Sequence, residues 1–287
     1  MEQSEIINKI KKLAANIRRD IVLMIGGEGQ TGHLGGSCSS ADIVASLYGH
    51  KMRFDPKNPR WEDRDKFIYS KGHAAIVQYA AMAEVGFFPV AELITAKQLG
   101  SRLQGHPDRI KTPGVEAGTG SLGQGLSIAN GLALAMKLDR KDRKVYCVMG
   151  DGEMAEGQIW EAAMTAAHYR LDNIVGIVDR NRLQATGFIE ERFNINPLAE
   201  KWDAFGWHVI EIDGHDIAAI LSALNTADTV KGKPAVIIAD TIKGRGISFA
   251  ENSAGFHNAA LTSEQYEAAL AEIDSMIAVL DKGGTEA

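Results

Sequence analysis

Two polar clusters in residues 145–187, VYCVMGDGEMAEGQIWEAAMTAAHYRLDNIVGIVDRNRLQATG, each follow directly on an apolar run. The first run ends in Gly150, Asp151 and Gly152, and the second ends in an Asp-Arg-Asn sequence that finishes with Asn181. The apolar runs are typical of buried strands, and the residues between them have a helical pattern. The stretch therefore predicts one strand–helix–strand unit with a polar group at the end of each strand.

An aspartate and an asparagine at neighbouring strand ends suit a hard divalent cation. Mg²⁺ prefers oxygen ligands, few of them from protein and the rest from phosphates or water. Asp151 offers a carboxylate, Asn181 an amide oxygen and Leu183 a backbone carbonyl. The flanking glycines allow a close approach to phosphate, and a helix predicted to start near Ala155 directs its N-terminus there. A diphosphate held through a metal is one interpretation, and two ordinary turns are the other.

Three histidines stand next to glycine in separate loops, namely His33, His73 and His106. Imidazole is a general acid or base near neutral pH. Several such loops converging on one cleft would suit a polyol substrate, whereas a single one is as often a turn or surface residue. A structural role near the site is a further hypothesis for His215, in the segment DGHD. Four histidines fit helices or strand ends and are interpreted as structural: His50, His168, His208 and His215.

The elements that must position these residues alternate between strand and helix. Apolar runs predict strands at 145–149, 174–178, 207–212 and 235–242, and a short strand precedes the turn at 71–72. Such alternation predicts a parallel sheet covered by helices on both faces. Ligands of such sheets bind beyond the carboxyl ends of the strands. The polar clusters fall at these ends: residues 70–73, Asp151, Asn181, residues 213–215 and residues 241–246.

Amphipathic helices are predicted at both ends of the chain. The first contains apolar residues at helical spacing from Ile6 to Ile21, and it carries too much charge for a signal peptide. Ser39 and Ser40 are predicted caps of a second helix. The last helix, TSEQYEAALAEIDSMIAVL, precedes the polar tail DKGGTEA, which we expect to be the chain end.

Composition excludes several classes of partner and location. The 287 residues are 45% hydrophobic and carry a net charge of −6, which argues against nucleic acid and against an anionic membrane. The two cysteines, Cys38 and Cys147, show no pairing pattern, so we expect a reduced, cytoplasmic protein. No apolar stretch approaches the length that crosses a bilayer.

Several segments in a fixed order resemble the N-terminal, cofactor-binding half of transketolase. They are TGHLGGS, DPKNPRWEDRDKFIYSKGHAA, LQGHPD, GTGSLGQGLSIANG, GDGEMAEGQIWEAAMTAAHY, DRNRLQATG, FGWHVIEIDGHD and TIKGRGISF. The resemblance implies an α/β fold with a parallel sheet sandwiched between helices, in which residues 1–287 form a single pyrophosphate-binding domain. It implies thiamine diphosphate and Mg²⁺ as cofactors, with Ca²⁺ or Mn²⁺ as alternatives to Mg²⁺. The implied reaction moves a two-carbon ketol unit from a ketose to an aldose, both expected as sugar phosphates.

The same resemblance implies roles for individual residues. It identifies the metal ligands as Asp151, Asn181 and the carbonyl of Leu183. Glu156 is expected at the subunit interface. The implied catalytic residues are His33, His73, His106 and His257. The implied cofactor-binding residues are Gly120, Ser121, Leu122, Gly150, Asp151, Gly152, Glu153, Asn181, His73, Lys243 and His257.

The resemblance also implies a second polypeptide. In transketolase the glutamate that hydrogen-bonds the pyrimidine ring lies in a second, pyrimidine-binding domain, and this chain ends before such a domain would begin. We therefore expect a separate C-terminal subunit that supplies the glutamate, in an α2β2 assembly. Ala185, Phe188 and Asn258 depart from the family pattern, so a branched or sulfonated sugar is an alternative substrate.

Three other functions remain as alternatives. GTGSLG, residues 118–123, satisfies the dinucleotide motif GxGxxG, but no apolar strand is predicted before it, so a nicotinamide-dependent oxidoreductase is disfavoured. A noncatalytic cofactor-binding or regulatory subunit is the second alternative. A deoxyxylulose-phosphate synthase-like enzyme is the third, and the segments KGHA and QGHPD favour transketolase over it.

Overall fold

A five-stranded parallel sheet forms the centre of the fold in the computed structural model, which describes residues 2–26 and 30–282. Every neighbouring pair of its strands is parallel. A two-residue hairpin, β4 (Leu183–Gln184) and β5 (Gly187–Phe188), follows the central strand. In spatial order the sheet strands are β1 (Lys66–Tyr69), β2 (Val145–Gly150), β3 (Ile174–Arg180), β7 (Ala235–Asp240) and β6 (His208–Asp213).

Helices fill the connections between these strands. Short 3₁₀ turns at 72–74, 90–95, 152–155 and 254–256 complete them. The α-helices are α1 (Gln3–Ile25), α2 (Leu34–Ser39), α3 (Ala41–Ser46, extended by a wider turn to Lys51), α4 (Ile76–Glu84), α5 (Gln124–Leu138), α6 (Gly157–His168), α7 (Ile189–Arg192), α8 (Leu198–Ala204), α9 (Ile217–Thr229) and α10 (Ser263–Asp281).

Both faces of the sheet are buried, because alternate strand residues enter two separate cores. On β2, Tyr146 and Val148 pack in the core that contains α1, α3, α4 and α9. Val145, Cys147 and Met149 of the same strand pack in the core that contains α5, α6 and α8. The predicted parallel sheet between two helical layers is thus confirmed, and the apolar runs at 145–149 and 174–178 are strands as predicted.

The predicted serine caps are confirmed in part, because α3 begins at Ala41 and Ser40 occupies its N-cap position, but no serine side chain caps the helix. Ser39 lies in the last turn of the preceding helix α2, and its hydroxyl donates to Asp179 at 2.6 Å. The side chain of Ser40 caps neither α2 nor α3, because its hydroxyl bonds the Gly36 carbonyl at 3.2 Å and the Tyr69 hydroxyl at 2.8 Å. Tertiary partners in the core therefore take the hydroxyls that a helix end would otherwise use.

Several element ends differ from the sequence prediction. Strands β2 and β3 continue to Gly150 and Arg180, and β6 spans His208–Asp213 rather than residues 207–212. The backbone after Asp151 first forms a 3₁₀ turn, capped by its own carboxylate at the Gly152 N–H (2.8 Å), so α6 begins at Gly157 rather than near Ala155. Strand β7 ends at Asp240 rather than at residue 242, because its neighbour β3 has already ended.

The described chain begins and ends in helix, as predicted. No helix among residues 2–26 and 30–282 is long and apolar enough to cross a membrane. Helix α10 ends at Asp281, and the last five residues of the predicted polar tail lie outside the described part of the chain.

A buried carboxyl group, Asp20 of α1, lies near the half-buried Glu84 at the end of α4. Asp20 is only 3% exposed, and its Oδ2 has no hydrogen-bond partner among the described residues. Burial, followed by the nearby charge of Glu84, raises the pKa of Asp20 from 3.8 to about 7. The folded state therefore binds more protons than the unfolded chain between these pH values, so its stability falls as pH rises through them.

We expect Asp20→Asn to stabilise the protein more at pH 8 than at pH 5. The amide cannot ionise, so the substitution removes a penalty on the order of 1–4 kcal/mol that is complete only above pH 7. Urea unfolding at both pH values measures the difference. The control is Asp139→Asn, an exposed residue at the end of α5. A gain that is equal at the two pH values would contradict the assignment.

Candidate active site

A cavity of about 400 Å³ lies beyond the carboxyl ends of the strands. A second cavity, of about 500 Å³, is lined by residues of α1 and α10 and by His215 and Arg245 of two predicted polar clusters, but by none of the predicted catalytic, cofactor-binding or metal-binding residues. The first cavity brings together most residues that the sequence singled out. Those that line it are His73, Leu122, Gly150, Asp151, Gly152, Glu153, Glu156, Asn181, Leu183, Lys243 and His257.

The three predicted metal ligands lie on one wall of this cavity. The carboxylate of Asp151 accepts the backbone N–H of Arg182, and Oδ1 of Asn181 accepts the N–H of Leu183 at 3.2 Å. The Leu183 carbonyl accepts the ammonium of Lys243 at 2.6 Å. A cationic group thus already binds one of the three oxygens, which shows that the wall favours positive charge.

This donor set fits a hard cation such as Mg²⁺. It consists of one carboxylate, one amide oxygen and one carbonyl, and Mg²⁺ takes such oxygens together with phosphates and water. No group of three or more His, Cys, Asp or Glu residues capable of holding a metal occurs in the described residues, so a softer, multi-histidine site is not formed there. Burial, followed by the charge of Asp179, raises the pKa of Asp151 to about 6, and a bound cation would offset this cost.

A buried ion pair supports the cavity from below. Lys71 and Asp179 form it, and neither side chain is more than 2% exposed. The Lys71 ammonium also donates to the Gly36 carbonyl at 2.6 Å, and Asp179 accepts the hydroxyls of Ser39 and Thr241. Burial would raise the pKa of Asp179, but the ammonium of Lys71 outweighs it and holds this pKa below its ordinary value.

Sequence reasoning missed the ion pair as a unit. Lys71 lay inside a predicted polar cluster and Asp179 directly preceded the predicted ligands, yet neither was assigned a role. The need for an acidic partner was predictable, because a lysine at the end of a buried strand requires one, but the choice of Asp179 depends on the strand order, in which β3 lies two strands from β1.

Glu153 uses its side chain to hold the loops together. It is buried, and its carboxylate accepts the Ser70 hydroxyl, the Gly123 N–H at 2.8 Å and the Gly150 N–H at 3.1 Å. Gly152 and Glu153 both line the cavity. The carboxylate of Glu153 therefore joins the turn after β2 to those after β1 and before α5.

Three of the four predicted catalytic histidines form one cluster. The ring centres of His33 and His73 are 4.9 Å apart, and His257 lies 5.4 Å from each. Burial, followed by neighbouring cations and imidazoles, lowers the pKa values to about 4 for His33 and His257 and to about 2 for His73. The three rings are therefore neutral at pH 7, each with one donor and one acceptor nitrogen.

The fourth histidine, His106, lies at the loop of residues 118–123. It is exposed, and it packs so closely on Gly120 that a Cβ at that position would be 2.4 Å from its ring. Gly120 also has a φ of +140°, which favours glycine. Ser121 is exposed, and neither it nor Gly120 lines the cavity. Residues 118–123 follow a loop and not a strand, which contradicts the nicotinamide-dependent alternative.

Residues that depart from the family pattern occupy different positions. Ala185 lines the cavity, whereas Phe188 lies outside it on the hairpin and is 49% exposed. Two lining residues, Gln184 and Phe193, were not singled out from the sequence. Phe193 follows α7 and is largely exposed, so an aromatic ring stands at the edge of the cavity.

Known proteins of one family resemble this chain in sequence. The transketolase thiamine diphosphate-binding domain matches residues 5–273. The 6-deoxy-6-sulfo-D-fructose transketolase subunit SqwG of Clostridium sp. (strain MSTE9) is 45% identical over 260 residues, which are 91% of this chain and 94% of that protein. An apulose-4-phosphate transketolase subunit of Phocaeicola vulgatus is 40% identical over 271 residues, 94% of this chain and 96% of that protein.

Solved transketolases share the fold. The enzyme from Leishmania mexicana matches 99% of this chain with a TM-score of 0.81 and 30% identity. The enzyme from Campylobacter jejuni matches 98% with a TM-score of 0.83 and 31% identity. This chain spans only 45% and 48% of those two proteins, respectively, although it spans nearly the whole length of the SqwG and apulose-4-phosphate subunits.

We expect Asp179→Asn to destabilise the protein by about 3–5 kcal/mol, because it leaves the ammonium of Lys71 buried without a carboxylate. Urea unfolding at pH 7 measures the loss. Asp281→Asn is the control, since its partner Lys12 is half exposed and the loss there should be about 0–1 kcal/mol. Equal losses in the two variants would show that the buried pair does not support the site.

Proposed function

Because the chain belongs to the transketolase family, we propose that it is the thiamine diphosphate-binding subunit of a split transketolase. The chain is a transketolase-type transferase subunit that moves a two-carbon ketol unit from a ketose to an aldose. The observation that carries the proposal is that one cavity brings together the predicted metal ligands, the ammonium of Lys243 and two histidines of the cluster, His73 and His257.

In this proposal, one set of residues binds the metal ion and the diphosphate, and another set binds the sugar. Asp151, Asn181 and Leu183 would hold the metal ion, and Lys243 would donate to a diphosphate oxygen. Thiamine diphosphate, when bound, supplies a carbon acid and an electron sink. The metal is proposed as Mg²⁺, with Ca²⁺ or Mn²⁺ as alternatives.

The histidine cluster has the properties that a polyol substrate requires. His33, His73 and His257 are neutral, so each ring both donates and accepts a hydrogen bond, and such rings can orient hydroxyl groups and move protons between them. His106 stands on the exposed side of Gly120, where it would contact a substrate that enters from solvent.

The partner is proposed as a separate C-terminal subunit with a pyrimidine-binding domain and the catalytic glutamate, in an α2β2 assembly. Two observations support this proposal: the chain covers less than half of each of the two solved transketolases, and similar proteins of nearly the same length are named as subunits. In this assembly the chain would form one pyrophosphate-binding domain, with Glu156 at the interface between subunits.

The proposed substrates are sugar phosphates or unusual sugars of branched or sulfonated type. The names of the two similar subunits, one for a sulfofructose and one for apulose 4-phosphate, support this range. A cytoplasmic location is also part of the proposal, and the two free, buried cysteines support it.

We expect Asp151→Ala to weaken magnesium-dependent binding of thiamine diphosphate by at least about a hundredfold, because the only carboxylate among the metal donors is lost. Calorimetric titration of the assembled enzyme, with and without Mg²⁺, measures the effect. Asp203→Ala, an exposed residue on α8, is the control. Unchanged affinity in the Asp151 variant would remove the metal assignment.

We expect the purified chain alone to show no ketol transfer, and addition of its partner to restore it. The test isolates the tagged chain from its source cells, identifies what copurifies, and assays the material with and without thiamine diphosphate and Mg²⁺. A donor and acceptor panel then identifies the sugar. Turnover of sugar phosphates by the single chain at ordinary enzyme rates, about 1–10³ s⁻¹, would overturn the split-enzyme proposal.

A further inference from the structure

His215 lies between Asp42 of α3 and the segment of residues 241–246, and it does not line the 400 Å³ cavity. Its Nε2 accepts the backbone N–H of Ile242 at 2.8 Å, and its Nδ1 is 2.7 Å from Oδ2 of Asp42. Because Nε2 accepts from an N–H group, it carries the lone pair, and the ring proton must be on Nδ1, which donates it to Asp42. These two contacts define the tautomer of His215.

Asp42 is itself held in place. Arg18 donates to both of its carboxylate oxygens, at 3.1 and 2.5 Å, and the side chains of the pair are 5% and 10% exposed. The Nε of Arg18 also donates to the carbonyl of Arg245 at 3.0 Å. The buried Arg18–Asp42 pair and the partly buried His215 therefore hold the segment of residues 241–246 at two points, one on each side of Lys243.

These two anchors act together with backbone hydrogen bonds of the segment, because the Gly244 N–H donates to the Gly35 carbonyl at 3.0 Å and the Lys243 carbonyl accepts the Asn252 N–H at 2.9 Å. Gly244 and Gly246 both adopt positive φ, at 80° and 90°. The Lys243 side chain between the anchors reaches the Leu183 carbonyl at 2.6 Å and Nδ1 of His257 at 2.9 Å. A small rotation of the segment would carry the ammonium away from both groups.

The turn after β6 places His215 for this contact. A Cβ on Gly214 would lie 2.5 Å from the Thr241 side chain, so only glycine allows the two strand ends to approach so closely. The N–H of Gly214 bonds the Asp240 carbonyl at 2.7 Å, and Asp213 accepts the N–H of His215 at 2.8 Å. The conformation of the segment DGH therefore places the imidazole of His215 beside Ile242.

We propose that His215 is a positioning residue: oriented by Asp42, it holds the N–H of Ile242 and so sets the ammonium of Lys243 at the diphosphate. The inference rests on the proposed function, because the diphosphate is the group that Lys243 would meet. It assigns to the DGHD segment a role in cofactor binding without contact between His215 and the cofactor.

Two amide substitutions separate the contacts of His215. In His215→Gln the amide can replace Nε2 as the acceptor for Ile242, whereas in His215→Asn it can replace only Nδ1 as the donor to Asp42. The measurements are amide hydrogen exchange of peptides covering residues 241–246 in the full chain, and titration of the assembled enzyme with inorganic pyrophosphate and Mg²⁺. His168→Asn, on the exposed end of α6, is the control.

We expect His215→Asn to raise exchange at residues 241–246 and to weaken pyrophosphate binding, each roughly tenfold, the size expected when a buried N–H loses its acceptor. His215→Gln should stay within about threefold of the wild type in both measurements. Equal behaviour of the two variants, or exchange that rises equally in the central strand β3, would overturn the proposal. A wild-type enzyme that binds neither pyrophosphate nor thiamine diphosphate would contradict the proposed function, while the exchange data would still decide whether His215 holds the segment.

Discussion

The buried ion pair of Lys71 and Asp179 is the contact on which the site depends. A lysine and an aspartate meet at the carboxyl ends of β1 and β3, where Lys71 lines the cavity and neither side chain is more than 2% exposed. Burying two charges is costly, so they persist only with further hydrogen bonds. These come from Ser39 and Thr241 to the carboxylate, and from the ammonium to the carbonyl of Gly36. The pair thus joins helix α2 to the carboxyl ends of β1, β3 and β7. It thereby fixes the backbone next to the proposed metal ligands.

The glycine-rich loop 118–123 matches the GxGxxG motif, but its contacts show a role in packing. A Cβ on Gly72 would come 2.5 Å from Thr119, and one on Gly125 would come 2.3 Å from the Ser70 hydroxyl. The start of α5 therefore packs directly on the turn after β1, and Glu153 bonds both sides of this junction. Small residues are required here by contact between backbones, before any ligand is considered.

The fold was largely predictable from the sequence, and the site was predictable in part. Apolar runs identified the strands, and their parallel order placed Asp151 and Asn181 at one edge. The supporting contacts were not predictable, because they depend on which strands are neighbours: β7 lies between β3 and β6, so Thr241 reaches Asp179 across a non-sequential pairing. His215 and Asp42 are 173 positions apart. No local pattern encodes such partners. The hydroxyls of Ser39 and Ser40, which were predicted as helix caps, bind Asp179 and Tyr69 instead.

The charges of the cavity are consistent with the proposed partner subunit. Three carboxylates line the cavity among the described residues, and Asp179 is not one of them. Glu153 already accepts hydrogen bonds from the N–H groups of Gly123 and Gly150, and Asp151 belongs to the proposed metal ligands. The nearby histidines are neutral, and Lys243 is a cation whose pKa burial lowers to about 8. Glu156, exposed at the rim, is the remaining carboxylate, and it is the residue expected at the interface. This chain therefore brings together an ammonium, oxygen donors and neutral imidazoles in one region, and under the proposal the glutamate that binds the pyrimidine ring belongs to the partner.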